Sequence, residues 1–278
     1  MGLRSLGAAD VPVLQYLCDQ QPYETMFIAS RVAQFGADPR MLGATLFGFE
    51  RNGSLAAALH HGTNLVPIGD PNDDEAIVAF AAQVGPRRGT KAILGPQQLV
   101  LKLHRALSRL WGDSWAVTRQ VREHQPVMAL GEPPHLPGDR RVRIVNEAEL
   151  EGYYRAAVSM YKEEVGGDAA DSGDAYKMYV RSLLAFRRAF GAEHQGEFWF
   201  KADIGACAGP IGQIQGVWLR PDLRSRGMAE PALAQAVTLM RTTWPIISLY
   251  VNDYNTPAIR AYQRLGFQPV GELATVLY

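Results

Sequence analysis

Two cysteines, Cys18 and Cys207, are too few and too far apart for a disulfide framework, and no CxxC pair is present to hold a metal. A reduced, cytoplasmic setting is the simplest fit. Net charge is lacking as well, since 28 basic side chains balance 28 acidic ones. With no basic block or stripe, nucleic acid is excluded as a partner. No apolar run approaches the ~20 residues that cross a bilayer. No basic start followed by an apolar stretch marks a leader, so no membrane role is expected. What is present is 47% hydrophobic and 20% charged residues, the composition of a globular chain rather than a disordered one.

A stretch rich in proline and glycine, Gly131-Glu-Pro-Pro-His-Leu-Pro-Gly138, divides the 278 residues into nearly equal halves. The halves repeat one order of elements. Each opens with a short strand (3–6; 141–145) and a helix, started by Asp10 and Pro12 in the first half and by an Asn146/Glu149 capping box in the second. Each continues with a hairpin: 45–50 with 55–60 around Asn52-Gly53, and 197–203 with 213–219 around a glycine-rich turn. A helix (73–84; 229–240), a strand (91–94; 246–251), a second helix (99–110; 257–265) and a strand-like tail complete each half. The spacing predicts an α/β (mixed α+β) fold in two tandem domains, 1–134 and 139–278.

The most informative run follows Val217-Trp218-Leu219, which ends a strand. Pro221-Asp222 turns the chain, and Arg224-Ser225-Arg226-Gly227-Met228-Ala229 leads into a helix with Leu233, Ala236, Val237 and Met240 at helical spacing. A helix start holds unpaired N–H groups and the positive end of the dipole, which attract phosphate. Gly227 and Ala229 keep the approach clear, and Arg224 and Arg226 add positive charge. Downstream, Asn255 or Thr256 caps a helix with Pro257 in its first turn and Gly266 closing it. Ala258, Tyr262 and Leu265 share one face, while Arg260 and Arg264 face away.

Arg-x-x-Gly-x-Ala after a strand, followed by Asn-x-x-Ala-x-x-x-Tyr-x-x-x-Gly-Phe, resembles the paired motifs of the GNAT (Gcn5-related N-acetyltransferase) family. The resemblance covers 141–278, and the whole chain is similar to actinobacterial tandem proteins whose first domain is degenerate. It implies two mainly antiparallel twisted sheets flanked by helices, and an N-acetyltransferase that takes acetyl-CoA as cosubstrate and needs no metal. The acceptor is a primary amine on a small molecule or protein, attacked directly in a ternary complex, and the assembly is a monomer or homodimer. The resemblance makes Tyr262 the general acid and has Asn255, Val217, Trp218, Leu219 and 224–229 contact the cofactor. A backbone N–H near Leu219 is expected to receive the oxyanion. In some relatives a glutamate stands five residues before the asparagine; here that position is Tyr250. Glu163, Glu164, Glu197 and Asp203 remain as possible bases, each read first as a surface carboxylate, with Glu164 preferred. A regulatory module that binds acyl-CoA without turnover is the alternative.

The matching position of the first half reads Gly69-Asp70-Pro71-Asn72-Asp73-Asp74-Glu75, whose four carboxylates repel a pyrophosphate. The helix at 99–110 has no tyrosine, so the first half is expected to be silent and one CoA to bind per chain. Adjacent His60 and His61 point to opposite faces of a strand and do not make a metal pair. Gly205–Gly212 is read as a hairpin turn, and Tyr161–Asp168 as a loop.

Overall fold

Helix starts fall within two residues of the positions read from the sequence. Asp73 accepts the Ala76 N–H at 3.1 Å, Asn255 accepts the Ala258 N–H at 3.3 Å, and Glu149 accepts the Asn146 N–H at 3.0 Å. The structure, a computed structural model, describes residues 2–165 and 174–278, the side chains of 164 and 165 excepted. Contacts sort the chain into two units that do not follow chain order. One comprises the residues up to Val127 with Tyr250–Tyr254 and Val270–Tyr278; the other comprises Met128–Leu249 with Asn255–Pro269. The ranges 1–134 and 139–278 describe the repeat in element order, whereas contacts assign the final strand to the first unit.

In the first unit β1 (Gly2–Ser5), β2 (Ala44–Arg51), β3 (Ser54–Gly62) and β4 (Asn64–Gly69) run antiparallel, and β5 (Ala92–Pro96) joins β4 in parallel. The strand β12 (Gln268–Leu277) then pairs antiparallel with β5, Leu273 opposite Pro96 through Leu277 opposite Ala92, and β6 (Gln120–Leu130) lies beside it. Strand alternation separates two cores. Ala58 and Val66 pack with α1 (Val11–Asp19), α2 (Met26–Phe35) and α3 (Pro39–Leu42). Ala57, Leu59 and Leu65 pack with α4 (Asp74–Val84), α5 (Gln97–Trp111) and α6 (Asp113–Ala116), and this core includes Ala274 and Val276 of β12.

His60 and His61 do alternate. His60 is 4% exposed, with Nδ1 hydrogen-bonded to the Asn64 carbonyl at 3.1 Å, whereas His61 is half-buried against Phe47. Burial lowers the His60 pKa to about 4 from its ordinary 6.5. Its folded pKa is below its unfolded one, so its contribution is complete above pH ~6.5 and is lost as the pH falls toward ~4. Urea unfolding should show about 2–3 kcal/mol less stability at pH 4.5 than at pH 7 from this group. His60→Phe should flatten that slope, and an unchanged slope would reject the assignment.

The second unit repeats the pattern. β7 (Arg143–Ile144), β8 (Ala189–His194), β9 (Glu197–Ala208) and β10 (Ile211–Leu219) run antiparallel, and β11 (Ile246–Tyr250) joins β10 in parallel. The helices are α7 (Leu150–Val165), α8 (Asp174–Ala185), α9 (Ala229–Met240) and α10 (Thr256–Leu265). In both units an antiparallel run ends in one parallel pair, so the repeat in the sequence is a repeat in topology. Each unit is a mainly antiparallel sheet flanked by helices.

Three local readings change. The stretch 205–212 does hold the hairpin turn, at Gly209–Pro210, but the strands reach further into it, β9 running to Ala208 and β10 starting at Ile211. Tyr161–Val165 continues α7 as helix, and 166–168 fall outside the described residues. The stretch 131–138 is docked rather than free: His135 N–H donates to the Leu265 carbonyl at 3.0 Å, and Gly138 lies against Gln235. Among the described residues no helix is long and apolar enough to cross a membrane, and no group of three or more His, Cys, Asp or Glu side chains could hold a metal ion.

Candidate active site

β10 and β11 are parallel, Ile211–Gln213 opposite Ile246–Ser248, so the segments leaving their carboxyl ends emerge at one edge of the sheet. That edge is where α/β sheets bind ligands. After β10 the chain makes a single turn at Pro221–Leu223 and Arg224 is extended. Ser225 and Gly227 then take left-handed conformations, φ +59° and +73°, before α9 begins at Ala229. Left-handed residues alternating along a loop gather N–H groups into a concavity that suits an anion. The α9 dipole adds to it. Arg224, Ser225, Arg226, Gly227 and Ala229 are exposed, and Met228 is half-buried. No atom lies within 4 Å of where a Gly227 Cβ would stand, so glycine is required there for its backbone conformation.

Arg224 reaches back from this loop. Its Nε donates to the Leu219 carbonyl at 2.9 Å and its Nη2 pairs with Glu163 at 2.5 Å. The other Glu163 oxygen accepts from Trp218 Nε1 at 3.0 Å. One carboxylate from the end of α7 thus ties the strand end Val217–Leu219 to the loop. Glu163 is exposed, as expected of a surface carboxylate, and is held by two partners. Glu197 is exposed, 3.7 Å from Arg220. Glu164 sits in the last turn of α7, and its side chain lies outside the described residues.

Asn255 caps α10, and Tyr262 lies one face down the helix, 9% exposed and packed on Phe267 with ring centroids 5.9 Å apart. Arg264, in the last turn of α10, pairs with Glu230 in the first turn of α9, which joins the two motif helices.

Beneath the strand end lies a buried polar cluster that the sequence reading missed. Asp203 is 5% exposed, not a surface group. It accepts from the fully buried Lys201 Nζ at 2.5 Å and from the Tyr153 hydroxyl. Burial, then the Asp203 charge, raises the Tyr153 pKa well above its ordinary value, which keeps the hydroxyl protonated as a donor. The available signal was Lys201-Ala202-Asp203: two opposite charges at i and i+2, hence on one face, inside an otherwise apolar strand.

The corresponding place in the first unit is built differently. Arg51 spans Asp73 at 2.8 Å and Glu75 at 2.9 Å, while Asp73 caps α4 and Asp70 accepts the Asn72 N–H at 2.8 Å. Carboxylates and their own arginine fill the helix start.

Residues 178–267, a span that includes both motifs, match the acetyltransferase (GNAT) family. The second half of the chain carries a GNAT-family domain. Residues 44–153 match a domain of unknown function, DUF4081, in keeping with a degenerate first domain. No curated protein matches the chain. Among solved structures, a GCN5-related N-acetyltransferase from Sphaerobacter thermophilus aligns with TM-score 0.63 and 18% identity over 99% of this chain and 94% of that one. A GNAT-family acetyltransferase from Colwellia psychrerythraea aligns with TM-score 0.58 and 14% identity over 100% of both chains. A tandem GNAT protein from the clavulanic acid biosynthesis pathway aligns with TM-score 0.53 and 12% identity over 99% and 97%. At these identities the likeness is one of fold, and the fold is that of a tandem GNAT protein.

Proposed function

We propose that the second unit transfers an acetyl group from acetyl-CoA to a primary amine by direct attack in a ternary complex. The observation that carries this reading is the placement of two motifs at the carboxyl ends of adjacent parallel strands: the left-handed loop 224–229 after β10, and the Asn255-capped helix bearing Tyr262 after β11. The loop and the α9 start take the pyrophosphate. The pantetheine arm adds along Val217–Leu219 as an extra strand, since pairing with β11 covers only Ile211–Gln213. An amine of lysine type, reference pKa ~10.4, arrives protonated and must lose a proton. Glu164 is the proposed base. The amine nitrogen then adds to the thioester carbon, the carbonyl electron pair moves to oxygen, and a backbone N–H of the strand end receives that charge. The oxyanion pair then re-forms the carbonyl and the C–S bond breaks; the thiolate takes the Tyr262 phenolic proton, and the proton remaining on the new amide nitrogen returns through solvent to the tyrosinate.

Thiol release from acetyl-CoA over a panel of primary amines tests the reading. Release that depends on one class of amine supports it. Tight CoA binding with no release from any amine would leave a sensor of acyl-CoA instead. Calorimetry should find one CoA per chain, and two equal sites would overturn the silent first unit. Arg226→Ala should weaken CoA about tenfold, the loss of roughly 1.4 kcal/mol that one charge-assisted phosphate contact supplies. Arg51→Ala in the first unit should leave the affinity unchanged.

A further inference from the structure

The ion pair of Lys201 and Asp203 is placed where stability alone does not call for one. Removing two charges from water costs several kcal/mol per ion, and apolar replacements of such pairs are often neutral or stabilising. Yet Lys201 is fully buried, and each of its neighbours is accounted for. Its Nζ donates to Asp203 at 2.5 Å and to the Gly216 carbonyl at 2.8 Å, with Met160 Sδ at 3.5 Å and the Tyr153 ring centroid at 5.5 Å.

The bond to Gly216 lands on the second of two irregular points of β10. Register slips between Gln215, opposite Asp203, and Trp218, opposite Lys201, so β10 holds one residue more than β9 across that step. Gly216 is left-handed at φ +62°, and a Cβ there would stand 2.9 Å from both Lys201 Nζ and Met160 Sδ. The Gly216 carbonyl is therefore pinned toward the ammonium. In a planar trans peptide the carbonyl and the next N–H point opposite ways. The Val217 N–H is thus directed away from Lys201, on a stretch that neither ladder register covers. A cation hydrogen-bonded to the carbonyl also polarises the peptide and strengthens its N–H as a donor.

We propose that Lys201, seated by Asp203 and Tyr153, is a positioning residue that aims and polarises the Gly216–Val217 peptide so that the Val217 N–H binds the thioester carbonyl oxygen. This rests on the acyl-transfer reading and deepens it. As the amine adds, the carbonyl electron pair moves onto oxygen, and the donor already points at the charge, with no reorganisation at that moment. Lys201 itself touches neither substrate nor cofactor.

The test needs no knowledge of the acceptor. In the wild-type protein the Val217 amide resonance should move with CoA, whose arm lies along Val217–Leu219, and should move further with acetyl-CoA. Infrared spectra of bound carbonyl-labelled acetyl-CoA should show a red-shifted thioester stretch. Tyr153→Phe leaves the Lys201–Asp203 pair and the Lys201–Gly216 bond in place and should keep that shift. The double variant Lys201→Met/Asp203→Asn removes both charges together, leaves no carboxylate unpaired, and should return the stretch to its solution position while CoA affinity stays within twofold. An equal shift in the two variants, or a Val217 amide indifferent to the acetyl group, overturns the proposal and leaves acyl transfer standing. A wild-type protein that binds no acetyl-CoA removes both. Because the amide measurement uses wild-type protein, the proposal can fail even if the double variant does not fold.

Discussion

Tyr262→Phe is expected to lower amine-dependent thiol release 10²- to 10⁴-fold, the range that a positioned general acid supplies, with CoA affinity unchanged. The ring is what the fold uses: Tyr262 is 9% exposed and packs on Phe267, and phenylalanine preserves that contact. Loss of the hydroxyl should cost folding about 1 kcal/mol at most, the net worth of one hydrogen bond. The chemistry, by contrast, loses its proton donor. A phenol of reference pKa ~10 is protonated at neutral pH, and the departing thiolate, reference ~8.5, needs a proton. Steady-state rates, a binding isotherm and a melting curve on one preparation separate these terms. Equal rates for wild type and variant would remove Tyr262 from the mechanism.

Val276→Asp is expected to destabilise the first unit by at least ~4 kcal/mol, although Val276 is near the end of the second sequence half. Val276 has no exposed surface and packs in one core with Phe80, Leu103 and Trp115. The substitution removes roughly 2 kcal/mol of apolar burial and places a carboxylate where it has no partner. Hydrogen exchange should rise in β3, β4 and β5 while β9 and α7 keep their protection. Had β12 belonged with the half that encodes it, the loss would appear in β9 and β10 instead.

These two residues differ in how legible they were. Tyr262 was readable because everything that defines its place is local: the Asn255 cap, Pro257 in the first turn, and the spacing to Gly266 and Phe267. The same holds for the loop at 224–229, whose left-handed positions fall on Ser225 and Gly227. Val276 was readable as a strand residue but not as part of the first unit, because a strand's partner is chosen by non-local pairing that its own sequence does not encode. β4 escaped notice because Pro67 looks like a breaker, yet it lies within the strand opposite Leu59. α8 and β8 were not assigned from the sequence; β8 is six residues with Gly191 in its interior, a weak strand signal. The Lys201–Asp203 pair was visible as a pattern, but its partner carbonyl at Gly216 lies on another strand, at a bulge that no spacing rule announces. Glu163 was readable as a surface carboxylate but its partners were not, since Trp218 and Arg224 reach it from distant elements.

The position of β12 also bears on how the chain is made. Domains ordinarily complete themselves in order as they are synthesised. Here the sheet formed by the first 127 residues lacks an interior strand until Val270–Tyr278 have been added. The sheet of residues 2–127 therefore matures only after Val270–Tyr278 have been made. A ribosome that stalls or terminates shortly before those residues releases a protein with β5 unpaired along the register that β12 fills, and so with an open strand edge of the kind that recruits other chains.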